Sequence, residues 1–303
     1  MLSAINRILR NSLPTNAPKF LIIGVQKAGT TTLFHILNNT SILKGSAEKE
    51  IHFFDRDAYY KKGIDWYLDF FKGTNGQTTF EATPSYIYSK RVPKRIYETL
   101  GPMKFIVIMR DPVKRCFSAW NMYRNFNKDK LIAKNIYEAF VKHSNVEHKE
   151  YMVDLLFTEN FPSFDECINR DISMYETNSP IEEPSFVRRG LYHEQIMRYL
   201  DHFNIQDFLF IEQSELTASV EEMLSKLQSF LGLEEKVIVS DSCTRINSNK
   251  GHYEDIDSEE YSDAFLRLYD FYHEHNAKLF KLIGREYPWG ADWLGSSQRQ
   301  GQL

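Results

Sequence analysis

Residues 20–32 read Phe-Leu-Ile-Ile-Gly-Val-Gln-Lys-Ala-Gly-Thr-Thr-Thr, an apolar strand that runs into small residues, a lysine and three hydroxyls. A helix is predicted to follow, and the N–H groups of its first turn together with the helix dipole favour an anion. Lys27 adds a full positive charge, so the pattern predicts a phosphate-binding loop. The nucleotide P-loop has Gly, four residues, Gly-Lys and Ser or Thr, whereas here the lysine precedes Gly29. The loop is too short for an ordinary kinase, and a plain strand-to-helix turn is the alternative interpretation.

A second stretch, residues 104–123, repeats this order of features. The apolar run at residues 105–109 predicts a buried strand, Arg110 stands at its C-terminal end, and Asp111 followed by proline predicts a helix start. Arg110 therefore lies where open parallel sheets bind ligands, and its planar guanidinium suits phosphate oxygens. Ser118, on the second turn of the predicted helix, is expected to bind a second phosphate beside it. Two phosphate sites predict a bisphosphorylated nucleotide as the ligand.

The composition is that of an ordinary globular enzyme. The 303 residues are 42% hydrophobic and 14% aromatic, and strand and helix signals alternate, which predicts a single α/β domain. The formal net charge of -4 gives no overall attraction to nucleic acid. Cys116, Cys167 and Cys243 lie far apart without metal-type spacing, so neither cysteine chemistry nor a metal site is expected.

Further elements complete the predicted fold. Strands are predicted at residues 79–82 and 208–212, and the sheet is expected to be mainly parallel. Helices are predicted at residues 219–231, after a Ser–Glu capping box, and at residues 258–283, before a glycine. The apolar residues of both helices recur at helical spacing, and we interpret them as core rather than as a cofactor site.

The stretch Glu50-Ile-His-Phe-Phe-Asp55 carries the candidate acid–base groups. In an extended backbone Glu50 and His52 face the same side, so a carboxylate and an imidazole are expected to converge on one acceptor group. The alternative interpretation is a charged edge beside an aromatic pair that anchors the core. These residues alone leave the two interpretations open.

The chain resembles the sulfotransferases that use 3'-phosphoadenosine 5'-phosphosulfate (PAPS), in particular the branch with the heparan sulfate N-sulfotransferase and glucosaminyl 3-O-sulfotransferase domains. The matching stretches follow the order of that family and are residues 24–32, 49–55, 63–67, 81–86, 108–112 with Ser118, 190–192, 249–253 and 271–276. The resemblance implies a P-loop-like three-layer α/β fold with a central, mainly parallel sheet flanked by helices. It implies one sulfotransferase domain at residues 18–290, after an N-terminal segment with helical spacing at 1–17 and before a tail at 291–303.

The resemblance also implies roles for individual residues. Glu50 is the expected catalytic base, with His52 as reserve base, and Lys27 is expected to stabilise the leaving group. The residues expected at the acceptor are His52, Asp55, Thr83 and Ser85. The residues expected at the donor are Lys27, Ala28, Gly29, Thr30, Thr31, Thr32, Arg110, Ser118, Tyr192, Lys250, Gly251, His252 and Tyr253. His252 replaces an arginine of the family, and Tyr192 is alternatively a core aromatic.

The sequence therefore predicts a PAPS-dependent sulfotransferase without a metal, whose nucleotide product is 3'-phosphoadenosine 5'-phosphate (PAP). The expected acceptor is a hydroxyl or amine of a carbohydrate, glycolipid or related small molecule, and nucleic acid is not expected as a partner. A P-loop nucleotide or sugar kinase and a non-catalytic nucleotide-bisphosphate binding protein are the alternatives. No apolar run is long enough for a signal peptide or a membrane span, so no stable membrane insertion is expected. The Golgi members of the family that the chain resembles have a membrane anchor, and this departure from them predicts a cytoplasmic, bacterial enzyme.

Overall fold

The computed structural model describes residues 13–74, 76–143, 149–180, 184–239 and 259–290. The chain forms two compact units, which are Met1–Arg110 with Gln195–Asn249 and Asp111–Glu194 with Lys250–Leu303. The domain predicted at residues 18–290 thus contains two units of packing. Most of the predicted N-terminal segment and the whole predicted C-terminal tail lie outside the described residues.

The first unit is built on a five-stranded parallel sheet. Its strands are β1 (Phe20–Gly24), β2 (Leu43–Gly45), β3 (Thr78–Ala82), β4 (Lys104–Met109) and β5 (Phe208–Glu212). They lie in the order β2-β3-β1-β4-β5, and all neighbouring pairs are parallel, as predicted. Because β3 and β4 lie on opposite sides of β1, the carboxyl ends of these three strands form the edge at which open α/β sheets bind ligands.

Helices flank this sheet and form most of the second unit. In chain order they are α1 (Thr30–Asn38), α2 (Asp57–Tyr60), α3 (Ile64–Leu68), α4 (Val92–Leu100), α5 (Pro112–Lys128), α6 (Lys130–His143), α7 (Lys149–Phe157), α8 (Phe164–Glu176), α9 (Tyr192–Leu200), α10 (Gln213–Ala218), α11 (Val220–Leu231) and α12 (Ser262–Ile283). The helices predicted at 219–231 and 258–283 correspond to α11 and α12, although α12 begins only at Ser262, after a 3₁₀ turn. No helix in the described parts of the chain is long and apolar enough to cross a membrane.

Large aromatic side chains fill the core of the first unit. β1 is buried along its whole length, and Phe20 stacks on Phe80 of β3 with ring centroids 5.1 Å apart. Phe105 of β4 stacks on Phe208 of β5 at 4.9 Å. A parallel strand that is covered on both faces has a continuous apolar sequence, which explains why β1 and β4 are recognisable from the sequence.

The second unit has an aromatic core of its own. Five buried rings meet at centroid distances between 4.9 and 6.1 Å, mostly edge to face, and they are Phe117, Trp120, Phe164, Tyr261 and Phe265. Cys116 and Cys167 lie in the same core, and burial raises the pKa of both thiols, that of Cys116 to about 12. These two thiols are therefore protonated at neutral pH and do not act as nucleophiles.

Candidate active site

The loop between β1 and α1 has the geometry of an anion site. α1 begins at Thr30 after Gly29, and no side chain among the described residues caps its first turn. The first N–H groups of the helix therefore keep their capacity to bind a ligand. Thr30 is buried, whereas Thr31 and Thr32 are partly exposed. An uncapped helix N-terminus with adjacent hydroxyls favours a phosphate or sulfate group.

Gly29 is required by the backbone of this loop. Its φ of 101° lies in the region that side chains disfavour. A Cβ at this position would also approach Cδ2 of Leu216 on α10 at 3.3 Å. The preceding Ala28 is fully buried. Gly29 and Ala28 thus set the course of the loop, in which the side chain of Lys27 is partly exposed.

Arg110 meets the loop from the end of β4. Its Nη1 donates a hydrogen bond to the carbonyl oxygen of Lys27 at 3.1 Å. The N–H of Val25 donates to the carbonyl oxygen of Ile108 at 2.7 Å, which fixes the start of the loop to the same strand. The structure therefore places the guanidinium of Arg110 against the backbone of the loop that carries Lys27, and Arg110 helps to hold this loop in place.

Asp111 acts as the predicted helix cap. Its Oδ1 accepts hydrogen bonds from the N–H groups of Val113 at 2.8 Å and Lys114 at 3.2 Å. Its Oδ2 accepts a hydrogen bond from Oη of Tyr269 at 3.0 Å. Because both carboxylate oxygens are engaged in capping and packing, Asp111 is poorly suited to the magnesium-binding role that a kinase would require.

The remaining residues predicted at the donor lie in the second unit or outside the described residues. Ser118 is partly exposed on the second turn of α5. Tyr192 is 1% exposed, and its ring meets Trp289 edge to face at 5.9 Å, which favours its interpretation as a core aromatic. A Cβ at Gly190 would lie 2.6 Å from Oη of Tyr272, so close packing requires this glycine. The predicted donor residues outside the described parts are Lys250, Gly251, His252 and Tyr253.

The segment that carries Glu50 is not extended. Glu50 has a φ of 63° and His52 a φ of 57°, so both adopt left-handed backbone, and the prediction of alternating extended residues is wrong. Such a conformation costs side-chain-bearing residues about 1–2 kcal/mol each, so the surroundings must hold it. One of these contacts is the hydrogen bond from the N–H of Glu50 to the carbonyl oxygen of Ala82, at 3.0 Å. Backbone strain of this kind is concentrated at functional sites.

The side chains of this segment converge even though the backbone departs from the prediction. Oε2 of Glu50 lies 3.7 Å from Nε2 of His52, and Nδ1 of His52 lies 2.8 Å from Oδ2 of Asp55. Oε1 of Glu50 pairs with Nζ of Lys49. The Glu50 side chain is 39% exposed, whereas those of His52 and Asp55 are 15% and 10% exposed. Glu50 is therefore the member of the charge line Lys49–Glu50–His52–Asp55 that is most open to an acceptor.

The charge line sets the protonation states at neutral pH. Burial favours the neutral form of Glu50, but the imidazole of His52 and the ammonium of Lys49 outweigh it and lower the pKa of Glu50 to about 2. Burial acts to lower the pKa of His52, but the carboxylate of Asp55 raises it to about 9. At pH 7 Glu50 is a carboxylate that can accept a proton, whereas His52 already carries one. These charges favour Glu50 over His52 as the base.

The raised pKa of His52 predicts a pH-dependent stability. The folded protein binds this proton more tightly than the unfolded chain, so the contribution is complete below pH 6.5 and is lost as the pH rises through about 9. We expect the free energy of unfolding to fall across this window by up to about 3 kcal/mol more than in the His52→Gln variant. Urea denaturation of both proteins across this window measures the difference, and parallel pH profiles would contradict the assigned pairing of His52 with Asp55.

A buried network beside the segment was not predicted from the sequence. Glu81, at 0% exposure in β3, accepts hydrogen bonds from Oη of Tyr67 at 2.6 Å, Oη of Tyr86 at 2.7 Å and Oγ1 of Thr83 at 2.7 Å. Burial raises the pKa of Glu81 to about 7. Thr83 is itself fully buried, so its hydroxyl serves Glu81 and faces away from solvent. Ser85 is partly exposed and thus the more accessible of the two hydroxyls predicted at the acceptor.

Lys49 is the second residue that the sequence analysis missed. Its ammonium pairs with Oε1 of Glu50, the residue that directly follows it. In an extended strand, neighbouring side chains face opposite sides, so the predicted extended backbone places Lys49 on the face opposite to Glu50. The left-handed backbone at Glu50 removes this restriction. The available signal was the position of Lys49 at the start of the matched stretch 49–55.

Comparison with known proteins identifies the class of this fold and site. Residues 17–262 match the sulfotransferase domain, and the chain therefore belongs to the sulfotransferase family. The crystal structure of a sulfotransferase from Alicyclobacillus acidocaldarius shares the fold, with a TM-score of 0.59 and 20% identity, over 91% of this chain and 98% of that chain. The predicted P-loop-like α/β fold is thus confirmed.

Two relatives indicate the branch of the family. The chain is 28% identical over 312 residues to the human (Homo sapiens) protein heparan sulfate glucosamine 3-O-sulfotransferase 3B1. This match covers 95% of the chain and 68% of the relative. The chain is also 30% identical over 300 residues to bifunctional heparan sulfate N-deacetylase/N-sulfotransferase 3 of Mus musculus. This match covers 88% of the chain and 30% of the relative. The chain thus spans about two thirds of the first relative and less than a third of the second.

Proposed function

We propose that this protein transfers the sulfuryl group of PAPS to a hydroxyl of a carbohydrate, with Glu50 as the general base. The observation that carries the proposal is the ionised, partly exposed carboxylate of Glu50, on a segment whose backbone is hydrogen-bonded to the end of β3, the strand beside β1. The N–H of Glu50 donates a hydrogen bond to the carbonyl oxygen of Ala82 in β3. β3 pairs with β1, and β1 leads into the loop that carries Lys27. A base and an anion site at the same edge of one sheet are what transfer from an anionic donor requires.

The loop residues supply the donor side of the reaction. PAPS supplies a sulfuryl group, and the acceptor oxygen forms a bond to sulfur as the bond from sulfur to the oxygen of the 5'-phosphate breaks. Negative charge develops on that leaving oxygen. Lys27 is suited to stabilise it by its charge, and the first-turn N–H groups of α1 are suited to do so because the helix fixes them before the reaction begins. We assign the 3'-phosphate to Arg110, and Ser118 is kept as the second residue that the sequence predicts for it.

The charge line supplies the acceptor side. Glu50 accepts the proton that the acceptor hydroxyl loses, so the attacking oxygen does not keep a positive charge. His52, held by Asp55, and Lys49 orient the two oxygens of Glu50 and keep it ionised. Ser85 and Asp55 are the further residues that we place at the acceptor. The carbohydrate class is supported by relatives named for heparan sulfate, and a sugar amine is the alternative nucleophile.

Two other functions fit the site less well. A kinase needs a carboxylate for magnesium, whereas one oxygen of Asp111 caps the start of α5 and the other accepts a hydrogen bond from Oη of Tyr269. A protein that only binds a nucleotide bisphosphate needs no acceptor-side carboxylate, whereas the carboxylate of Glu50 is partly exposed and ionised at neutral pH. Transfer measured with Glu50→Gln therefore distinguishes an enzyme from a protein that only binds the nucleotide.

The donor assignment predicts a selective nucleotide affinity. We expect PAP to bind about 10- to 100-fold more tightly than AMP, because charge-assisted hydrogen bonds to its 3'-phosphate are absent from AMP. Arg110→Ala should remove most of this preference, whereas Lys61→Ala, at an exposed lysine outside the site, should preserve it. Calorimetry measures all the affinities. Equal affinity of the wild type for PAP and AMP would contradict the assignment, and magnesium-dependent binding of ATP alone would indicate a kinase.

A further inference from the structure

Glu81 is a buried titratable residue that has no part in the reaction as proposed above. It is fully buried, and its hydrogen-bond donors are the hydroxyls of Tyr67, Tyr86 and Thr83, all of them 0% exposed. A buried carboxylate held by neutral groups costs desolvation energy, and an apolar side chain of similar volume is often as good for stability. Packing alone therefore gives no reason for a carboxylate at this position.

Tyr86 connects Glu81 to the segment that carries the base. Its Oη accepts hydrogen bonds from the N–H groups of Phe53 at 3.0 Å and Phe54 at 3.4 Å, and it donates to Oε1 of Glu81 at 2.7 Å. A phenolic hydroxyl has one proton and two acceptor sites. Two incoming N–H groups fill the acceptor sites, so the proton of Tyr86 must go to Glu81. Glu81 thus fixes the direction in which Tyr86 can bind the backbone after His52.

The rings of the same tyrosines pack against the same two phenylalanines. Phe53 stacks on Tyr67 at 4.7 Å, with 22° between the ring planes, and Phe54 meets Tyr67 edge to face at 5.2 Å. Phe54 also meets Tyr86 edge to face at 5.5 Å. Through its two carboxylate oxygens, Glu81 holds both tyrosine hydroxyls, and therefore both rings, in one arrangement. The phenylalanine pair is fixed by ring contacts and by hydrogen bonds that end at one carboxylate.

The backbone before the phenylalanine pair needs such restraint. Glu50 and His52 both adopt left-handed backbone, and the N–H of Glu50 is held by Ala82, the residue next to Glu81. One end of the segment is therefore tied to β3 directly and the other end through Tyr86. A loss of the second tie would let residues 50–54 relax toward ordinary backbone, and the 3.7 Å approach of Glu50 to His52 would be lost.

We propose that Glu81 is a positioning residue for sulfuryl transfer, which acts through Tyr86 and Tyr67 to hold Glu50 and His52 in their reactive arrangement. This inference rests on the proposed role of Glu50 as base. Glu81 touches neither the donor nor the acceptor, so it should affect the rate of transfer far more than the affinity for either. The oxygen that accepts from Tyr86 is what the positioning of the backbone uses. Glutamine at this position can keep an oxygen toward Tyr86, while its amide N–H donates to Oη of Tyr67.

The test compares kcat and KM for the variants Glu81→Leu, Glu81→Gln and Tyr86→Phe with the wild type. We expect Glu81→Leu and Tyr86→Phe each to lower kcat about 10- to 100-fold, because small displacements of reacting groups have effects of this size. KM for the acceptor and the affinity for PAP should stay within about twofold, and Glu81→Gln should restore kcat to within about threefold of the wild type. The double variant Glu81→Leu/Tyr86→Phe should be no slower than the slower single variant, since both break one connection.

Two controls separate this proposal from a loss of stability and from a failure of the proposed function. Leu100 is fully buried in α4, so Leu100→Ala creates a cavity in the core. This variant should have a lower melting temperature but an unchanged kcat at a temperature where the protein is folded. Glu50→Gln is measured in parallel. The proposal would be overturned if folded Glu81→Leu and Tyr86→Phe had the kcat of the wild type. It would also be overturned if Glu81→Gln lost as much kcat as Glu81→Leu. In either case an inactive Glu50→Gln would leave the role of Glu50 as base intact. An active Glu50→Gln would overturn the role of Glu50 as base, on which this inference rests, and absence of transfer by the wild type would overturn the proposed function itself.

Discussion

Replacing Glu50 by glutamine is expected to lower the rate of sulfuryl transfer by about 10²–10⁴-fold, the range typical of a positioned general base. Glutamine preserves the shape of the side chain but cannot accept a proton. The affinity for PAP should be unchanged, because Lys27, Arg110 and Ser118 form the proposed donor site. Single-turnover rates and calorimetry on the same preparation measure both quantities. His52→Ala should cost less, since at neutral pH His52 already carries its proton, with a pKa raised to about 9 by Asp55.

A matched control for this variant lies two positions earlier in the chain. Glu48 is exposed, and Glu48→Gln makes the same chemical change outside the charge line. It should leave transfer within about twofold of the wild type. Near-normal transfer by Glu50→Gln together with an inactive His52→Ala would assign the base to the histidine. Loss of PAP affinity in Glu50→Gln would instead indicate that Glu50 supports the donor site.

Replacing Lys27 by alanine is expected to lower the rate of transfer by about 100-fold or more, because it removes a positive charge from the place where negative charge develops. The fold should be retained. Lys27 has a φ of 72°, and alanine meets the same backbone cost as lysine there, so the variant adds no new strain. The hydrogen bond from Arg110 is made to the carbonyl oxygen of Lys27, which alanine keeps.

Steady-state kinetics and thermal unfolding together decide this prediction. Lys27→Arg keeps the charge and should recover part of the rate, whereas Lys61→Ala, at an exposed lysine of the same unit, should behave as the wild type. A folded Lys27→Ala variant that transfers at the wild-type rate would contradict the assignment of Lys27 to the leaving oxygen.

Features set by local sequence were predicted well. β1 and β4 are buried parallel strands, so their apolar runs identify them without knowledge of their neighbours. Asp111 caps α5 by accepting hydrogen bonds from the N–H groups of Val113 and Lys114. These contacts lie within one turn, and the Asp-Pro pair predicts them from the sequence. The strand, turn and helix around residues 20–38 likewise follow from one short stretch of sequence.

The geometry around Glu50 was not predictable in the same way. Alternation in an extended strand suggested that Glu50 and His52 face one side, but left-handed backbone at both residues brings them together instead. That conformation is held by Ala82 and Tyr86, which are about 30 residues away in the chain. The hydrogen bond between Tyr67 and Glu81 has the same long-range character. Pattern and propensity describe local preferences, whereas these contacts arise only when β3 and the segment pack.

The most direct test is to incubate the purified protein with PAPS and heparan-type oligosaccharides and to measure the masses of the products. The panel should include oligosaccharides with free hydroxyls and others with unsubstituted glucosamine amines, so that fragmentation distinguishes O- from N-sulfation. We expect a mass gain of one sulfuryl group on a carbohydrate hydroxyl, matched by release of PAP and formed at least about 100-fold more slowly by Glu50→Gln. Unchanged carbohydrate masses with a protein that binds PAP, or sulfated product formed by Glu50→Gln at the wild-type rate, would contradict sulfuryl transfer with Glu50 as the base.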